Sequence, residues 1–110
     1  MSLATGIDFV SLPTQDLDRA IDFYENVLEL EPGPRWGRGP DARGAEFETG
    51  TVTIALIVTD LLGIEFSPHR VPIALHVDDV AVARSRLEER GVEFLGETID
   101  SGVCHQALFL

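Results

Sequence analysis

Residues 7–24, IDFVSLPTQDLDRAIDFY, decide how the rest of the chain is read. Ile7 to Leu12 is rich in residues that suit a strand, and Pro13-Thr14 closes it. Asp16 is a good N-cap, and apolar residues follow at positions 17, 20, 21, 24, 27 and 28. That spacing is the stripe of a helix lying on a sheet. The order strand then helix is therefore set early, with Phe9 in the middle of the strand.

Beyond this opening, residues 31–44, EPGPRWGRGPDARG, hold four glycines and three prolines, which predicts a ragged strand over part of the stretch and a loop over the rest. Ala45 to Glu48 and Val52 to Thr59 are predicted as two strands joined by a Thr49-Gly50 turn. After a less regular segment, Pro72 to Val77 reads as another strand, and Asp78-Asp79 caps a helix with Val80, Ala83 and Leu87 on one face. Gly91 stands where a left-handed C-cap costs least. Val92 to Gly96 and Val103 to Leu110 complete the expected strands. Asp16-Leu17 thus answers Asp79-Val80 at an offset of 63 residues, the sign of an approximate internal repeat.

Composition narrows the function. At 110 residues and 45% hydrophobic, the chain is expected to form one domain with a modest core. No apolar run approaches the roughly 20 residues that span a bilayer, and the N-terminus lacks a signal-peptide layout, so a cytoplasmic protein is expected. The net charge is −11, and every basic residue is arginine. Such a field repels phosphate backbones and anionic membranes, so neither nucleic acid nor membrane is an expected partner. Cys104 is the single cysteine; it has no internal disulfide partner and no CxxC spacing.

The segments GIDFVSLPTQDLDRAIDFYENVLEL, GAEFETGTVTIALI and PIALHVDDVAVARSRLEERGVEFLG resemble, in order and spacing, the vicinal oxygen chelate superfamily of glyoxalase I, bleomycin-resistance proteins and extradiol dioxygenases. The resemblance runs from about residue 6 to 110. It implies an α+β fold of two tandem βαβββ modules, at about residues 5–60 and 70–110, forming a curled sheet around a cavity that a homodimer often completes. On that template the last strand of the second module is missing or lies outside this chain.

The resemblance also implies where a divalent metal would be held in metal-dependent relatives, by His or Glu side chains on four strands. The first position falls on Phe9, the second near Ala55, the third near Pro72, and the fourth in the strand not supplied here. None of these side chains can donate to a cation, so no cofactor is expected. A relocated metal site would draw on His76, His105 and either Glu46 or Glu48; the plainer role for His76 is a polar edge of the cavity.

Strand alternation makes Phe9, Thr53, Ala55, Ile57, Ala74 and His76 expected cavity liners. His105 joins them from the last visible strand. Trp36 is a candidate lid or stacking surface, and Arg35, Arg38 and Arg43 in the same loop are candidates for catching an anion. The favoured expectation is a metal-free module binding a small organic molecule. The alternatives are a metal-dependent enzyme resembling lactoylglutathione lyase or an extradiol dioxygenase, and, more weakly, a degenerate interaction-only domain.

Overall fold

The computed structural model describes residues 2–37, 39–68 and 72–109. The chain divides into two compact units, Met1–His69 and Arg70–Leu110.

In the first unit, strand β1 (Phe9–Pro13) leads into helix α1 (Leu17–Asp22). Asp16 caps the helix as expected: its carboxylate accepts from the Arg19 amide at 3.1 Å, while Thr14 Oγ1 accepts from the Asp16 amide at 3.1 Å. The helical stripe continues past Asp22, but the winding changes. Phe23–Val27 forms a π-helical turn, closed by the Leu28 amide donating to the Phe23 carbonyl at 3.0 Å. Glu29 then ends it in a left-handed conformation, with φ 59°.

The chain returns as β2 (Glu31–Trp36), β3 (Gly44–Glu48) and β4 (Thr53–Ile57). The expected hairpin is present. Its turn is tied by Thr49, whose hydroxyl donates to the Val52 carbonyl at 2.7 Å and accepts from the Val52 amide at 3.1 Å. The stretch rich in glycine and proline is the ragged strand that its composition predicts, since the pairing of β2 with β3 shifts register between Pro32 and Arg35. Trp36, expected in a loop, is the last residue of that strand. The four strands form one sheet in the order β1-β4-β3-β2, with β1 parallel to β4 and the other pairs antiparallel.

One face of this sheet carries α1. Leu12, Ala45, Phe47, Ile54 and Leu56 are buried there, together with Ile21 from the helix. Tyr24 continues the contact, its ring 5.9 Å from that of Phe47. Burial also raises the Tyr24 pKa above its ordinary value. Phe47 is fully buried, and removing a side chain of that size from water stabilises by about 1.5–3 kcal/mol.

The second unit contains helix α2 (Val80–Glu89) and a two-stranded antiparallel pair, β5 (Ile99–Asp100) and β6 (His105–Gln106). Asp79 caps α2 by accepting from the Val82 amide at 3.1 Å, and Gly91 follows the helix at φ 91°, both as expected. The strands differ from expectation. Pro72 to Val77 forms no strand, and Val92 to Gly96 and Val103 to Leu110 reduce to an isolated bridge between Phe94 and Phe109 and the short β5–β6 pair. Leu110 itself lies outside the described residues. A strand is a hydrogen-bonded partnership rather than a property of one segment, and residues 72–77 have no ladder partner among the described residues.

Arg84 organises this unit. Its guanidinium donates to the Gly96 carbonyl at 2.8 Å and to Thr98 Oγ1 at 3.1 Å, lies 3.6 Å from Glu88, and sits 4.8 Å over the Phe94 ring. Phe94 in turn meets Phe109 edge to face, with ring centres 5.3 Å apart. Among the described residues, no helix is long and apolar enough to cross a membrane.

Candidate functional site

The sheet of the first unit has a second face, opposite α1, and the strand register places its residues in rows. Phe9 pairs with Thr53, Thr53 with Glu48, and Glu48 with Glu31. Ser11 pairs with Ala55, and Ala55 with Glu46. In the last row Ile57 lies between Pro13 and Gly44, and Gly44 pairs with Trp36. Of the expected liners, Phe9, Thr53, Ala55 and Ile57 therefore share this face.

Two aromatic side chains bracket it at opposite corners. Phe9 is 51% exposed and Trp36 43% exposed, a large fraction for side chains of this type. Trp36 lies against Gly44: a Cβ at Gly44 would come 2.8 Å from Trp36 Cε3, besides striking the Leu56 carbonyl. Glycine is thus what lets the indole lie down on the sheet with its outer side free. Gly33 plays a similar part beside Glu46, since a Cβ there would sit 3.3 Å from that of Glu46.

The polar groups of the face are not alike. Thr53 Oγ1 donates to both carboxylate oxygens of Glu48, at 3.0 and 2.9 Å. The half-buried Glu46 side chain has no hydrogen-bond or ion-pair partner among the described residues. The sequence offered Glu46 only as a fallback metal ligand and did not single out Ser11. Their positions at odd and even places in neighbouring strands were the available signal, and the parallel register of β1 against β4 was needed to use it.

Arg35 does not join this face. Arg35 pairs in register with Ala45, on the side of α1, and its guanidinium lies 3.3 Å from Glu25. It also lines a groove of about 490 Å³ with Leu17, Asp18 and Ile21 of α1, which Gly44 borders as well. Arg43 is exposed, and Arg38 lies outside the described residues. Of the three arginines expected to catch an anion, Arg35 is already matched by the charge of Glu25.

The remaining candidates belong to the second unit. Ala74 and His76 are exposed, and because residues 72–77 form no strand, alternation does not assign them a common sheet face. His76 Nε2 lies 3.7 Å from Asp78, and His105 Nε2 lies 3.5 Å from Asp100. The Gly102 amide bond and the nearby His105 hold the Asp100 carboxyl below its usual pKa. Cys104 is exposed. Among the described residues, no group of three or more His, Cys, Asp or Glu side chains is placed to hold a metal ion. At the positions where the resemblance puts metal ligands, the benzyl group of Phe9, the methyl of Ala55 and the ring of Pro72 do not fit a cation.

Comparison with known proteins agrees with this architecture. Residues 6–107 match the family model of the glyoxalase/bleomycin resistance protein/dioxygenase superfamily. Among solved structures, a member of that superfamily from Sphaerobacter thermophilus superposes with a TM-score of 0.81 at 21% identity, covering 98% of this chain and 90% of the other. The antibiotic-binding protein TnmS3 from Streptomyces sp. CB03234 gives 0.78 at 20% identity, over 99% and 88% of the two chains. TioX from Micromonospora sp. ML1 gives 0.70 at 20% identity, over 96% and 89%. No curated protein sequence matches.

Proposed function

The chain belongs to the glyoxalase/bleomycin resistance protein/dioxygenase superfamily, and from that premise we propose that it is a metal-free binding protein for a small, flat organic molecule. The ligand rests on the face of the four-stranded sheet opposite α1. The observation that carries this reading is the pair of exposed aromatic side chains, Phe9 and Trp36, bracketing a floor of small residues at Ala55 and Gly44. Aromatic faces with a flat approach between them suit a planar ligand, whose stacking adds to the apolar area it buries.

The residues at the family's metal positions support a binding role over a chelating one, since three of them have no donor atom. That TnmS3 is an antibiotic-binding protein supports an antibiotic-like molecule as the ligand class. Exposed Val77, Val82, Leu95 and Val103 support self-association through the second unit as a homodimer.

Thermal-shift screening of the purified chain against planar organic molecules and divalent metals tests the reading, because a ligand specific to the native state raises the melting temperature by mass action. Trp36 is the single tryptophan, so its fluorescence reports occupancy directly. Trp36→Ala should weaken binding about tenfold, the equivalent of roughly 1.4 kcal/mol of stacking. Stoichiometric nickel, zinc, iron or manganese retained through dialysis, and released by His76→Ala or His105→Ala, overturns the metal-free reading. Sedimentation that finds only monomer at micromolar concentration overturns the dimer.

A further inference from the structure

Resting on the ligand face just described, we infer that its occupant is a planar cation, selected by the carboxylate of Glu46. Three observations meet at this side chain. It stands in the middle row of the face, paired with Ala55 and flanked across β2 by Gly33, so that small residues on both sides leave it open. Its carboxylate has no protein donor among the described residues, whereas that of neighbouring Glu48 is already bonded by Thr53. It also lies two residues along β3 from Gly44, the residue over which Trp36 is laid. That step is about 6.7 Å, a gap that the long axis of a three-ring aromatic spans while stacked on the indole.

Charge on the face points the same way. Glu31, Glu46 and Glu48 share it, and no basic residue of the described strands does, because Arg35 falls on the side of α1 and binds Glu25. A half-buried carboxylate without a partner is stabilised by an N–H donor or cation delivered by the ligand, and it resists a ligand anion through both repulsion and desolvation. An aromatic cation also gains from the face of Trp36.

The experiment uses the full chain and three ligands of one shape: 9-aminoacridinium, neutral acridone and acridine-9-carboxylate, each titrated by quenching of Trp36. The cation should bind at least tenfold more tightly than acridone, and the carboxylate least tightly. Glu46→Gln should lower cation binding about tenfold and leave acridone unchanged. Glu93→Gln removes the same charge from an exposed position of the second unit and should change nothing, which separates local selection from the general attraction of an acidic protein. The ranking of the three ligands is measured on the unaltered chain, so it holds even where a variant folds poorly. Equal binding of all three, sensitive to Trp36→Ala but not to Glu46→Gln, overturns the charge selection and leaves the ligand face standing. Binding of none of them overturns both.

Discussion

The two units begin their helices in the same way and end in different states. Asp16 and Asp79 each accept a hydrogen bond at 3.1 Å from the amide three residues on. Yet the buried apolar side chains, from Leu12 to Leu56, all belong to the first unit, and no described residue of the second is buried. Among the described residues the first unit completes four strands, while the second has one bridge and a two-residue ladder. Capping is a local event that needs only a side-chain oxygen and three amides. Strands persist where a covered face holds them in register, and Phe47 under Tyr24 has no counterpart around α2.

The sharpest way to break this comparison is to remove the core of the first unit. Phe47→Ala should cost about 3–5 kcal/mol, a large part of the stability of a domain this small. Urea unfolding followed by Trp36 fluorescence checks it, since that probe sits in the first unit alone. A loss under 1 kcal/mol would mean that the sheet is held by something other than its helix-covered face.

A smaller effect is expected in the other unit. Arg84→Ala removes two hydrogen bonds and the contact with Phe94, at about 1–3 kcal/mol. Hydrogen exchange should speed up at the Leu95 amide, which donates to the Leu108 carbonyl at 2.7 Å, while the Trp36 transition stays in place. Arg84→Lys should recover only part, because an ammonium does not reproduce the guanidinium fork. If both probes shift together, the units do not unfold separately.

Next comes the turn after the π-helical segment. Glu29 holds a left-handed conformation that costs a side-chain-bearing residue about 1–2 kcal/mol, so Glu29→Gly should raise the first unit's stability by up to about 1 kcal/mol, offset by the contact that Glu29 makes. A rise in the urea midpoint without a change in slope is the expected sign.

The smallest effect belongs to Asp100. Its carboxyl pKa is lowered in the folded state, first by the Gly102 amide and then by His105. The stabilisation is therefore present above the unfolded-state pKa and is lost as pH falls through the lowered folded-state value. NMR of the β5–β6 pair should show loosening only below about pH 4, and Asp100→Asn should remove that acid response. An acid response that survives in Asp100→Asn would mean that this carboxylate does not hold the pair.

Much of this was legible in the sequence. The Asp16 and Asp79 caps, the Gly91 stop, the Thr49-Gly50 hairpin and the broken strand around Pro32 follow from local chemistry, and the structure carries each of them. Two kinds of feature were not legible. Pro72 to Val77 has strand-like residues but no ladder partner among the described residues, and partnership is invisible to propensity. The role of Glu46 depends on Ser11, Ala55 and Glu46 standing in one row, which requires the parallel register between strands 44 residues apart, Phe9 against Thr53. The π-helical turn at Phe23–Val27 also leaves the apolar stripe intact, so periodicity alone does not reveal it.

The irregular strand β2 has a further consequence for the protein in concentrated solution. It forms an outer margin of the sheet, and a sheet margin ordinarily offers a template for runaway stacking of chains into fibrils. Pro32 and Pro34 remove two amide donors from that margin, and the register shift between Pro32 and Arg35 bends it out of line. The glycine and proline content that makes this stretch look like a loop therefore serves as protection against aggregation on that side, and replacing both prolines by threonine should increase thioflavin-positive material on storage.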